Sequence, residues 1–242
     1  MPTVKFMGFV NPRIMSVGSS GGPFVLKDEA IGEVSMVYSI SNDAINAECE
    51  ITEVNDDTVT VLYWWVSSFI DGVVDAIAFS TGSSIVAVFD KYQRPNAPIQ
   101  SLIFRDHELG KECSVSPEEI IDLSVKEGSI CKYLHDITHT LIRPLEATVN
   151  CARAIEGLSR LVAPGKDKHQ RWKSLRDNLN LSEDYLKYIS KLSEGPRHGD
   201  TGPQNTRNIL ETRRRTWVVM NRFLAFRKRN NAKLSTSEFP LL

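Results

Sequence analysis

The apolar residues of this chain change their period near residue 110, and that change limits the folds open to it. Before it, apolar and polar residues alternate in short runs bounded by turn residues, as in a half-buried β-strand. After it, β-branched alternation disappears and apolar residues recur every three or four positions, as in an amphipathic helix. Two patterns segregated along the chain read as α+β: an N-terminal, mostly antiparallel sheet with one long helix, followed by an all-α helical bundle. The expected boundaries are 1–110 for the first domain, 116–230 for the second, and 231–242 for a flexible tail where the apolar period fades.

In the first part, Arg13 to Val17 reads as β structure, and Ser19-Ser20-Gly21-Gly22-Pro23 as a loop. Glu33 to Ile40 and Ala44 to Glu53 form an expected hairpin around Ser41-Asn42-Asp43. Asn55-Asp56-Asp57 opens a helix whose apolar stripe runs Val59, Leu62, Trp65, Val66, Phe69, Val73, Ala76 and Ile77, with Gly82 as its stop. Ile85 to Tyr92 and Ile99 to Phe104 then read as strands around Pro95-Asn96-Ala97-Pro98. In the second part, Ser116-Pro117-Glu118-Glu119 opens the first helix. Pro144 separates two helical runs, Ile130 to Leu141 and Leu145 to Leu158. A helix around Trp172 follows, then one capped by Ser182. A Gly/Pro-rich connection spans Glu194 to Pro203, and a last helix lies within Gln204 to Asn230.

Charge divides the same way. Residues 1–130 carry 8 Lys and Arg against 19 Asp and Glu, and residues 131–242 carry 21 against 11, so the parts are near −11 and +10. The last helical segment alone carries about +7. Such asymmetry suits an anionic partner, packing between the two parts, or contact with a second copy. The most apolar stretch, Val59 to Phe79, is broken by Asp71 and Asp75, and no membrane span is expected. Met1 to Lys5 lack the order of a signal peptide, and Cys49, Cys113, Cys131 and Cys151 form no Cys-x-x-Cys pair. A cytoplasmic chain with reduced thiols is the expectation.

Several residue groups could carry chemistry. Arg197 and His198 stand side by side between two helices. Arg offers a bidentate cation to phosphate, and His a proton donor or acceptor near neutral pH. Metal-free RNA cleavage needs both services. The alternative is a loop in which they only cap helix ends. Arg213, Arg214, Arg215 and Arg222 on the last helix could line phosphates, or form a solvated or internally paired face. His135 and His139 share a helix face, but Asp136 stands where a zinc protease has Glu and no third ligand is enforced, so no metal is expected there. Asp71 and Asp75 read as an ordinary polar face. Ser16 to Gly22 lack the Gly-Lys-Ser/Thr ending of a phosphate-binding loop, and no cofactor is expected.

The block Asn150 to Leu158 resembles the first long helix of HEPN-type helical domains, as does the order Trp172, Leu181 to Leu186, Arg197-His198-Gly199, and a final amphipathic helix. The resemblance covers residues 116–230. It implies a small helical bundle, commonly a homodimer, and in many members a metal-independent endoribonuclease of a toxin or phage-defence system. By resemblance His198 carries over as general acid or base. The family's Arg, separated from that His by four to six intervening residues, does not: those positions hold Lys191, Leu192 and Ser193. Two readings stand: an RNA-directed protein in which His198 and Arg197 act, and a non-enzymatic sensor or interaction module that dimerises or binds a protein partner through its helical half.

Overall fold

The computed structural model describes residues 1–12, 18–102, 109, 113–199 and 205–242. Arg13 to Val17 lie outside the described residues. The chain divides into two compact units, Met1–Phe104 and Arg105–Leu242.

The first unit is a six-stranded sheet with one long helix. Strands β1 (Thr3–Asn11), β2 (Ser19–Asp28), β3 (Gly32–Ser41), β4 (Ala44–Glu50), β5 (Val86–Gln93) and β6 (Gln100–Ser101) lie in the order β2-β3-β4-β1-β5-β6. Every pairing is antiparallel. The β3–β4 hairpin turns at Asn42 and Asp43, both left-handed with φ of 48° and 63°. That is the two-residue turn whose twist matches paired strands. Alternation then sorts the faces: Val34, Met36, Ile40, Ile45, Ala47 and Cys49 are buried, while Glu33, Val37, Asn46 and Glu50 are exposed.

Helix α1 (Asp56–Thr81) covers the apolar face. Asn55 and Thr58 close a reciprocal capping box at its start, and Gly82 at φ 64° ends it. Val59, Leu62, Val66, Ile70 and Val74 recur along its buried stripe, and Tyr63 packs between Phe6 and Phe89 at ring-centroid distances of 5.9 Å. By length and composition α1 could cross a bilayer, yet its buried stripe forms the core of this unit.

Two expectations change here. Ser19 to Pro23, read as a loop, begins edge strand β2, where Pro23 needs no ladder donor and Gly22 at φ 118° accommodates a register shift between Gly21 and Phe24. Thr3–Asn11, to which the sequence reading assigned no strand, is β1, between β4 and β5. It tolerates that position through Gly8, where an added Cβ would lie 2.2 Å from the Val88 carbonyl oxygen beside a bulge. The expected strand Ile99 to Phe104 is described only as the short β6.

The second unit is helical: α2 (Pro117–Lys126), α3 (Ser129–His139), a 3₁₀ turn (Pro144–Glu146), α4 (Ala147–Val162), α5 (Lys168–Leu179), α6 (Glu183–Lys191), α7 (Glu194–Arg197) and α8 (Thr206–Lys228). Pro144 thus restarts the helix through a tight turn, as its ring requires. Helices α4 and α8 form the centre. Ile155, Leu158, Leu175, Ile189, Val219 and Phe223 are wholly buried there. Gly157 lets Tyr133 of α3 lie against α4, since a Cβ would fall 2.1 Å from its ring.

Residues 231–242 are not a flexible tail. They fold back as a strap over the end of α5. Leu234 is 2% exposed. Asn180, left-handed at φ 53° and capping α5, donates its side-chain amide to the Leu234 and Phe239 carbonyls at 2.9 and 3.0 Å. Arg222 donates to the Leu179, Asn180 and Pro240 carbonyls at 2.9, 2.7 and 2.8 Å. The strap escapes a periodicity search because polar side chains hold it to backbone, with Leu234 as its apolar anchor.

Removing Arg222 leaves buried carbonyls without their donors. Arg222→Ala should therefore cost about 3 kcal/mol or more in denaturant unfolding. Amide exchange in 234–242 should accelerate, and an unchanged exchange rate there would show that the strap does not depend on this side chain.

Candidate functional site

Helix α8 is the obvious place for an anionic partner, and most of its charge is already taken up. From Val218 to Phe226 every residue is buried, so neighbours surround this part of the helix on all sides. Arg213 and Arg222, expected to face nucleic acid, are only 5% and 6% exposed. Neither can present its guanidinium to a phosphate backbone, and Arg222 instead ties the strap to α5. Arg214 and Arg215 share the Glu211 carboxylate, with Nε to oxygen distances of 2.9 and 2.6 Å. Arg215 also lies over the Tyr185 and Tyr188 rings at 4.9 and 4.1 Å. Farther along, Arg227 pairs with Glu127, Lys228 with Glu119 and Arg229 with Glu238, at 2.7, 2.8 and 2.6 Å.

The other end of the bundle differs. Arg197 and His198 are exposed, Arg197 at the last position of α7 and His198 capping it. The His198 backbone N–H donates to the Glu194 and Gly195 carbonyls at 3.3 and 2.9 Å, and Gly199 follows at φ 85°. The expected open connection from Glu194 is therefore partly a helical turn, with 200–204 outside the described residues. Helix α6 ends at the exposed Lys191, and α8 begins beside the exposed Arg207. The two helices meet where the Tyr188 hydroxyl lies 3.4 Å from Asn208 Oδ1. Among the described residues, Lys191, Arg197 and Arg207 form no ion pair. Sequence reading passed over Arg207. Its signal is an arginine in the first turn of a helix without acidic residues there. Ser193, where the HEPN pattern would allow Arg, is fully buried and donates its hydroxyl to the Ser190 carbonyl at 2.7 Å.

A third group lies on α3. The His135 and His139 rings touch, with centroids 3.9 Å apart. Burial, then the charges of His135 and Arg143, hold His139 below the ordinary imidazole range. Asp136, between them in sequence, points inward and is 2% exposed. Arg153 of α4 grips both of its oxygens, with Nε to Oδ2 at 2.9 Å, and also donates to Asn150 Oδ1 at 3.1 Å. The Asn150 to Leu158 block thus locks α4 to α3. Burial pushes the Cys49 thiol up to about 12 and the Cys151 thiol up to about 11, so both are neutral and unreactive at pH 7. Among the described residues no three His, Cys, Asp or Glu side chains converge as a metal site, Asp71 and Asp75 included.

Residues 118–228, from the first turn of α2 to the end of α8, match a sequence family described as the C-terminal domain of a domain of unknown function, DUF8168. No curated protein and no solved structure matches the chain.

The Glu211 pair makes a pH prediction. The hydrogen bond from Arg214, reinforced by Arg215 and opposed by partial burial, holds its carboxyl down at about 2, against an ordinary 4.5. A folded pKa below the unfolded one gives stabilisation that is full above about 4.5 and lost as pH falls through about 2. Glu211→Gln should lower stability at pH 7 by ~1 kcal/mol. It should also flatten the decline of stability across that acid window, followed by thermal unfolding at stepped pH.

Proposed function

We propose that the helical unit is an RNA-directed module that contacts the phosphate backbone at the end formed by α6, α7 and the start of α8. One observation carries the reading. Arg214, Arg215, Arg227 and Lys228 of α8 are ion-paired within the unit and Arg222 is tied to backbone carbonyls, whereas Lys191, Arg197 and Arg207 are exposed and form no ion pair among the described residues. Exposed, unneutralised cations are the charge a polyanion can use, because binding them releases counterions. His198 stands beside Arg197 and would act as hydrogen-bond donor or proton carrier at the bound phosphate. Resemblance to HEPN domains favours RNA as the polyanion, while Lys191 and Ser193 at the positions of the family's Arg favour binding over cleavage. The second reading, a module for a protein partner, draws support from the internal pairing of α8, which leaves the Arg-rich helix little charge to offer.

Titration of a labelled single-stranded RNA at stepped salt separates the two. Three backbone contacts predict a slope of log affinity against log salt near −2. Lys191→Ala, Arg197→Ala and Arg207→Ala combined should bring it close to zero, whereas Arg214→Ala should leave it unchanged. Absence of RNA binding at low salt would favour the protein-partner reading. With EDTA present, the RNA should stay intact. If it is cleaved and His198→Ala slows cleavage about 10²–10⁴-fold, the module is a metal-independent ribonuclease.

A further inference from the structure

Against the expectation from sequence, we infer from the contact of their rings that His135 and His139 form a binding site for one divalent late transition metal ion, such as Ni²⁺ or Zn²⁺, on the outer face of α3. The two residues are one helical turn apart, and their rings lie with centroids 3.9 Å apart, tilted by 41°. Helical spacing of four residues keeps both side chains on one face and lets a nitrogen from each approach the same point. Neither imidazole exchanges a hydrogen bond with another described residue, so the ring nitrogens are available as donors. The neutral imidazole, with a ring nitrogen lone pair free, is the form that binds metal.

The charged groups around His139 are paired with one another, so the surroundings are close to neutral. Asp136 and Glu146 lie within electrostatic reach of His139, as does Arg143. Arg143 stands 3.7 Å from Glu146, and Arg153 is bound to Asp136, so both nearby guanidinium charges are already matched. The same bond fixes Asp136 away from the imidazoles and leaves them without a competing carboxylate. Because no three potential ligands converge among the described residues, water completes the coordination sphere. Imidazole donors select nickel, copper and zinc over magnesium and calcium, which prefer oxygen. Cys131 lies one turn before His135 on the same stripe and is exposed, so the test keeps its thiol out.

The full chain carrying Cys131→Ser is titrated calorimetrically with Ni²⁺ and with Zn²⁺. One ion per chain should bind, unaffected by excess Mg²⁺. His135→Gln and His139→Gln should each weaken binding at least tenfold, because either change removes one of two donors. His198→Gln should leave it unchanged. His135 is exposed, so its variant tests ligation without disturbing the core. Wild-type affinity in either single variant, or stoichiometric binding that survives the double variant, would overturn the site.

Discussion

The helical unit depends on one buried guanidinium. Arg222 sits inside the bundle and gives its protons to three backbone carbonyls, two at the end of α5 and one on the returning strap. The carbonyls at a helix C-terminus lack intrahelical donors and carry the negative end of the helix dipole, so a cation there satisfies both needs. Asn180 completes the joint from the other side. Its left-handed backbone ends α5, and its amide holds the strap at two points. An α8 residue, an α5 cap and the strap from 231 to 242 thereby become one structure. An arginine that reads as a nucleic-acid contact is instead a tie between segments.

The same logic governs the rest of α8. A helix enclosed from residue 218 to 226 must satisfy its polar groups internally or present them at its ends. Arg214 and Arg215 find Glu211 on the helix itself, and Arg227, Lys228 and Arg229 find carboxylates at Glu127, Glu119 and Glu238. Arg215 adds the faces of Tyr185 and Tyr188, which orient its guanidinium toward Glu211. Net charge counted along a sequence therefore overstates what a partner meets. What remains available is set by where acids fall in space, and that moves the proposed contact from the middle of α8 to its beginning.

In the sheet unit the constraint is steric. Strand β1 lies between β4 and β5, and its bulged pairing with β5 passes so close at Gly8 that no side chain fits. One helix then covers the apolar face, and the opposite face carries polar residues such as the Lys5–Glu48 pair, at 2.7 Å. The alternation of buried and exposed positions in β3 and β4 follows directly from this one-sided arrangement.

Much of this was legible in the linear order. The α+β class, the β3–β4 hairpin, α1 with its Asn55 and Gly82 boundaries, and α2 to α6 all rest on local signals: caps, turn residues and apolar periods that act within a few residues. Arg197 and His198 also stand exposed between helices, as their Gly- and Pro-rich surroundings suggested. Three features were decided by tertiary contacts alone. Ser19 to Pro23 became an edge strand because β3 supplied its ladder. Residues 231–242 became ordered because Asn180 and Arg222, distant in sequence, offered donors to their carbonyls. Arg222 turned inward because the bundle encloses α8 from 218 to 226, and Arg213 because it falls on the buried face of the preceding turns, whereas a period search assumes one wet face along the whole helix. Sequence determines local conformation through short-range sterics and hydrogen bonds. Which charges stay exposed is settled only when distant segments bring their carbonyls and carboxylates together.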